Sequence, residues 1–102
     1  MNNEKNNDQM EIGLSNDIAQ GTYANLAIIT HSSSEFVLDF IRAMPGVPKA
    51  DVKSRIILTP EHAKRLLAAL NDNIRRYENT YGTIRVYENN IMPPIADVKG
   101  EA

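Results

Sequence analysis

The stretch from Val52 to Gly82 constrains the fold of this chain more than any other part of its sequence. An apolar strand is predicted over Val52–Leu58, and a helix is predicted to begin directly after it. Thr59 is a favourable N-cap, and Pro60 suits the first helical position because its missing N–H would have no partner there. Apolar residues then recur at steps of three or four until Gly82, which predicts a single amphipathic helix with a glycine C-cap.

Two more β-rich runs flank the serines at positions 32–34, over Gly21–His31 and Glu35–Arg42. Together they predict a β-hairpin with a short loop. A turn centred on Ser33 would pair Phe36 with Thr30, Leu38 with Ile28 and Phe40 with Leu26. The alternation of apolar residues over Met10–Leu14 further predicts a short edge strand. Residues 83–87 are predicted to form either a short final strand or an extended arm.

These elements predict an α+β fold, in which an antiparallel sheet of about four strands is followed by one long C-terminal helix. Such a sheet is about 19 Å wide, whereas a helix is about 10 Å across, so the helix would cover about half of one face. The hairpin strands are nevertheless apolar on both faces, which is unusual for a sheet with one wet face. A second copy is the simplest cover, so a homo-oligomer, either a dimer or a tetramer, is predicted.

The length of 102 residues predicts one domain, over residues 11–86. Residues 1–10 are polar and rich in asparagine, which predicts a disordered arm, and residues 87–102 are predicted to form a flexible tail. The net charge of −2 gives no electrostatic reason to expect nucleic acid. The absence of cysteine excludes disulfides and thiolate metal sites. Because the sequence has neither a bilayer-length apolar run nor an apolar signal segment, no membrane association and a cytoplasmic location are expected.

The most informative polar residue is Asp39, which interrupts an apolar strand and should share a face with Val37 and Ile41. A charge in that position needs a partner or water. The candidate partners are Arg55, Arg42 and Asn25. A structural, hydrogen-bonded carboxylate, or a charge that prevents wrong strand pairing, is favoured over a reactive carboxylate, because no second acid, nucleophile or ligand set accompanies Asp39.

No catalytic, cofactor-binding or metal-binding residue is predicted. The two histidines, His31 and His62, lack the spacing of a metal-binding pair, so His31 is interpreted as a strand end and His62 as a first-turn surface residue. Five basic residues could form a loose patch, although acidic residues lie between them: Lys49, Lys53, Arg55, Lys64 and Arg65.

Four segments carry a resemblance to a known family: Tyr23–Ala27, Glu35–Phe40, Ser54–Leu70 and Tyr77–Gly82. In these segments the chain resembles a bacterial family of small proteins named domain of unknown function 3467. The resemblance implies that Asn25, Asp39 and Arg55 belong to the motifs of that family, but it brings no activity and no role for them. The order of elements is also similar to that of the SecB export chaperones, which form dimers and tetramers and hold unfolded chains.

Three hypotheses for function follow. The first is a non-enzymatic, chaperone-like interaction module that binds protein or peptide through an exposed sheet edge or an apolar groove. The second is a small-molecule or nucleic-acid-binding regulator that uses the Lys49–Arg55 region. The third is an enzyme with a site near Asp39.

Overall fold

Three antiparallel strands form the sheet of the computed structural model, which describes residues 9–87 and 96–97. The strands are β1 (Leu26–His31), β2 (Phe36–Ile41) and β3 (Val52–Leu58). A two-residue strand, β4 (Ala96–Asp97), pairs in parallel with β1, so the strand order is β3-β2-β1-β4. The predicted arm over residues 1–10 and the predicted tail over 87–102 lie almost wholly outside the described residues.

The helical part consists of the four-residue α1 (Asn16–Ala19) and the 22-residue α2 (Pro60–Tyr81). The predicted ends of α2 are confirmed. The N–H of His62 donates to the Thr59 hydroxyl at 3.2 Å, and Gly82 adopts φ 99°, a left-handed conformation that favours glycine. Together β3 and α2 confirm the α+β class and the strand–helix unit.

The predicted strand over Met10–Leu14 is wrong, because these residues are neither strand nor helix in this chain. Alternation of apolar residues makes a strand only where a neighbouring strand offers backbone partners. Two strands instead of three therefore precede the loop, and the predicted four-strand antiparallel sheet and SecB-like order of elements are not confirmed. Residues 83–87 form neither strand nor helix, so the short final strand, one of the two alternatives predicted for them, is not found.

The predicted hairpin register is wrong by one residue. Leu38 lies opposite Ile29, and Phe40 lies opposite Ala27. The reason is the length of the loop. The N–H of Ser32 donates to the carbonyl oxygen of Glu35 at 2.9 Å, so these two residues close a loop that contains only two residues. A loop with an even number of residues pairs even-numbered residues with odd-numbered ones. A turn centred on one residue would instead pair even-numbered with even-numbered and odd-numbered with odd-numbered residues.

The predicted packing of the helix on its own sheet is also wrong. No residue of α2 is buried, and large apolar side chains along it are exposed. Only Thr59, in an extended conformation with ψ 154°, separates the end of β3 from the start of α2. A connection of one residue leaves no loop in which the chain could turn back across its own sheet.

The core is correspondingly small and lies on the central strand β2. Within the described part of the chain, the buried residues are Leu38, Asp39 and Ile41, at 9%, 8% and 5% exposure. Two of them, Asp39 and Ile41, share a face with Val37, as the alternation predicted. A charged residue is therefore one of the three best-covered positions of the fold.

Candidate functional site

The buried carboxylate of Asp39 is held by the guanidinium of Arg55. The β2–β3 register places the two residues directly opposite each other, so their side chains leave the same face of the sheet. The Nε of Arg55 donates to Oδ1 of Asp39 at 2.6 Å, and Nη2 donates to Oδ2 at 2.9 Å. This bidentate geometry is the strong form of an arginine–carboxylate pair.

The hydrogen bonds from Arg55 lower the pKa of Asp39 below the ordinary value of 3.8, against the opposing effect of burial, and the charge of Arg55 lowers it further. The same hydrogen bonds raise the pKa of Arg55. Asp39 is therefore an anion whose two oxygens are both occupied. A carboxylate in this state is a poor general acid and a weak general base, because proton transfer at neutral pH needs a pKa near 7.

The other two candidate partners of Asp39 have contacts elsewhere. The side-chain amide of Asn25 donates to the carbonyl oxygen of Ala43 at 2.9 Å and accepts the N–H of Ala43 at 2.8 Å. This double hydrogen bond ties the start of the loop after β2 to the start of β1. The guanidinium of Arg42 lies over the ring of Tyr23, 5.8 Å from its centroid.

Sequence reasoning missed this role of Asn25. A usable signal was its place immediately before the apolar run of β1, where an asparagine side chain can bond backbone groups beyond the strand end. The three residues predicted as candidate polar sites are thus not one cluster. Asp39 and Arg55 form an ion pair on one face of the sheet, whereas Asn25 anchors a loop at the end of the sheet.

The predicted basic patch is partly neutralised within the chain. Arg55 is paired with Asp39, Arg65 with Glu61, and Lys49 lies 4.0 Å from Asp51. His31 ends β1 and stacks on Phe36 with ring centroids 5.2 Å apart, as expected of a strand end. Across residues 9–87, no group of three or more histidine, aspartate or glutamate side chains lies close enough to hold a metal ion.

Two of the regular elements each carry several exposed large apolar side chains. The first is β3, an edge strand whose outer side has no neighbour among the described residues, and whose Ile56 and Ile57 are 44% and 55% exposed on opposite faces. The second is one side of α2, which we call the helix stripe and which consists of Ala63, Leu66, Leu67, Leu70, Ile74, Tyr77 and Tyr81. Exposed apolar surface that is contiguous is typical of interaction sites.

We expect the Asp39–Arg55 pair to make stability depend on acid pH. Because folding lowers the pKa of Asp39, this residue contributes stability above about pH 4, and the contribution is lost as the pH falls through the folded pKa. Urea unfolding midpoints of the wild type and Asp39→Asn should therefore differ most at pH 7 and converge once the pH is below the folded pKa of Asp39.

The matched control for this experiment is Asp72→Asn, which removes an ion pair with Arg76 on the exposed side of the helix. Such surface pairs contribute little, so its midpoint at pH 7 should stay near that of the wild type. Equal midpoints for wild type and Asp39→Asn at pH 7 would contradict the assigned role of Asp39.

No helix in the described part of the chain combines the length and the apolarity needed to cross a membrane. Comparison with protein families gives one match, to a family described as protein of unknown function (DUF3467), over residues 1–86. The match spans most of the chain, so the chain belongs to this family, as its motifs predicted. Neither the curated proteins nor the solved structures contain a match to it.

Proposed function

We propose that this member of the DUF3467 family is a non-enzymatic, oligomeric interaction module that binds polypeptide in an extended conformation along β3. The observation that carries the proposal is the free edge of β3 within the described sheet, with exposed isoleucines on both of its faces. An unpaired edge presents backbone N–H and C=O groups that can form a ladder with a further strand. Strand addition of this kind is a common way to bind a peptide.

The side chains of β3 support the same proposal. Natural edge strands are usually protected by proline, by charged side chains, by β-bulges or by a covering element, and of these β3 has Lys53 and a register irregularity near its start, away from Ile56 and Ile57. Val52–Leu58 contains no proline, and its central charge, Arg55, is drawn onto the sheet by Asp39. The ion pair thereby removes one barrier to a strand arriving beside Ile56 and Ile57.

The alternative functions receive less support. A nucleic-acid-binding or small-molecule-binding regulator would use the Lys49–Arg55 region, where Arg55 is paired and Lys49 lies near Asp51. Nucleic-acid binding that weakens steeply with salt would favour this alternative. An enzyme with a site near Asp39 would have to use a carboxylate whose pKa is lowered and whose oxygens are both bonded. The cytoplasmic location and the chaperone-like role stay predictions.

The experiment that tests the proposal is suppression of aggregation. We expect the protein to suppress the aggregation of reduced lactalbumin, and Ile57→Lys to weaken that effect about tenfold in the concentration required. A lysine at this position places a charge where an incoming strand must pack, and a loss of about 1.4 kcal/mol of binding corresponds to a factor of ten. Because Ile57 is 55% exposed, the substitution leaves the core intact.

The matched control is Val86→Lys, which makes a similar change at a residue that is 90% exposed and lies outside the sheet. This variant should act like the wild type. The proposal fails if the wild type gives no suppression at a stoichiometric ratio, or if the two lysine variants are equally active.

A further inference from the structure

The helix stripe has a regularity that an ordinary surface helix lacks. Apart from Leu66, its members recur from Ala63 at Leu67, Leu70, Ile74, Tyr77 and Tyr81, so their spacing alternates between four and three residues over the whole helix. A strict alternation of this kind has a mean period of about 3.5 residues and forms the narrow core line of a coiled coil. Covering a sheet would instead need a broader apolar face.

The structure leaves this line without a partner in the described part of its own chain. Leu67 and Leu70 are more than half exposed, and Tyr81 is 74% exposed. The ion pairs Arg65–Glu61 and Arg76–Asp72 lie elsewhere on the helix and bind its charged groups to each other. An isolated helix gains little from propensity alone, so a packed apolar line is what normally stabilises a helix of this kind.

We propose that the occupant of the helix stripe is the same stripe of a second copy, with the two α2 helices antiparallel about a two-fold axis. The register places Leu70 of one copy beside Ile74 of the other. The smallest core residue, Ala63, then lies opposite the largest, Tyr81, and Leu67 lies opposite Tyr77. Small residues facing large ones keep the two helices at a uniform distance, whereas parallel helices would place alanine on alanine and tyrosine on tyrosine.

The flanking residues fit the same register. Lys64, Asn71 and Glu78 lie beside the core line on one flank. In the antiparallel pair, Lys64 of each copy faces Glu78 of the other, while the two Asn71 side chains face each other. Such opposite charges at flanking positions set orientation in coiled coils. Within the described residues Lys64 has no ion pair, and Glu78 accepts the N–H of Ile84 at 2.9 Å, which fixes its carboxylate.

The area that the stripe offers reaches the minimum expected of a biological interface. The exposed parts of the tyrosines in the two copies supply about 500 Å², and the aliphatic members of the stripe supply a similar amount. The total of about 1,000 Å² reaches the lower bound of a specific interface. The arrangement specifies the oligomer of the proposed function and rests on that proposal.

Crosslinking tests the orientation, since the chain has no cysteine of its own. In Asn71→Cys the two thiols lie at nearly the same height, so a short bismaleimide should join two copies. In Thr80→Cys the thiols lie about 24 Å apart along the axis, at about 1.5 Å of rise per residue, and should not be joined. Equal crosslinking of the two variants would overturn the antiparallel arrangement.

Substitution tests the stripe itself. We expect Leu70→Asp to raise the dissociation constant of the dimer at least about 100-fold by sedimentation, because each dimer loses two core residues and gains two charges in their place. Its matched control, Ala68→Asp, changes a residue beside the stripe and should stay dimeric. Since no residue of α2 is buried in its own chain, neither variant disturbs the sheet.

The flanking charges can be tested by reversing one charge and then restoring the pair with a second reversal. Lys64→Glu should weaken the dimer about tenfold, and the double variant Lys64→Glu with Glu78→Lys should restore most of the affinity. A monomeric wild type at micromolar concentration would overturn the inference, as would a dimer that survives Leu70→Asp. Leu70→Asp also distinguishes this inference from the proposed function. If the variant is monomeric but still suppresses aggregation, dimerisation depends on the stripe, whereas polypeptide binding along β3 does not.

Discussion

Leu38→Ala should lower the free energy of unfolding by about 2–5 kcal/mol, the range observed when a buried leucine is truncated to alanine. Leu38 lies on the central strand β2, between Ile29 of β1 and Ile56 of β3, and is among the few buried residues of the described chain. A domain of this size has only about 5–15 kcal/mol of stability in total. One truncation would therefore remove a large share of it, and urea or guanidinium unfolding with a two-state fit measures the loss.

The control for this prediction is Ile57→Ala on the neighbouring strand, where the side chain is more than half exposed. Truncation there removes little buried surface, so the loss should stay below about 1 kcal/mol. Similar losses at the two positions would mean that Ile57 is covered as well as Leu38 is, and that the core does not lie on β2.

The local signals of the strand–helix unit were sufficient to predict it. Val52–Leu58 and the helix from Pro60 to Tyr81 have the predicted bounds, because N-cap, proline and C-cap glycine each act within a few residues. The same reasoning failed over Met10–Leu14, since pairing of a strand depends on a neighbour that the local sequence does not specify. It also failed for the hairpin register, because three consecutive serines lack the glycine or asparagine signal that fixes a turn type.

For the candidate site, the sequence could predict only the face of the strand on which a residue lies. Alternation placed Asp39 with Val37 and Ile41, but it could not choose among three polar partners on other segments. That choice depends on the β2–β3 register, which brings Arg55 directly opposite Asp39. The position of Asn25 before β1 signals a bond to backbone beyond the strand end, but its partner Ala43 could not be identified, because it lies 18 residues away in the sequence.

A second copy of the chain is still the expected cover for the apolar surface, but for a different reason. From the sequence, the helix was expected to be too narrow to cover the sheet, whereas in the structure no residue of the helix is buried against it. The uncovered surface therefore includes the helix stripe as well as the sheet. A larger uncovered apolar area strengthens the case for an oligomer, because each buried large apolar side chain contributes about 1.5–3 kcal/mol.

Thermal stability should consequently depend on protein concentration. If folding and association are coupled, each tenfold dilution lowers the apparent stability by about 1.4 kcal/mol. Dilution from about 100 µM to about 0.1 µM would then remove about 4 kcal/mol and lower the melting temperature by roughly 10 °C. Circular dichroism at 222 nm follows the melting of the long helix directly, because α2 supplies most of the described helical residues.

Leu70→Asp supplies the control for this last prediction, since a variant that does not associate should melt at one temperature whatever its concentration. Its helix signal at low temperature should also be weaker, because a 22-residue helix without a packed face is marginal in water. A wild type whose melting temperature is unchanged over the thousandfold dilution would show that α2 is stable alone. The exposed apolar stripe would then need an explanation other than self-association.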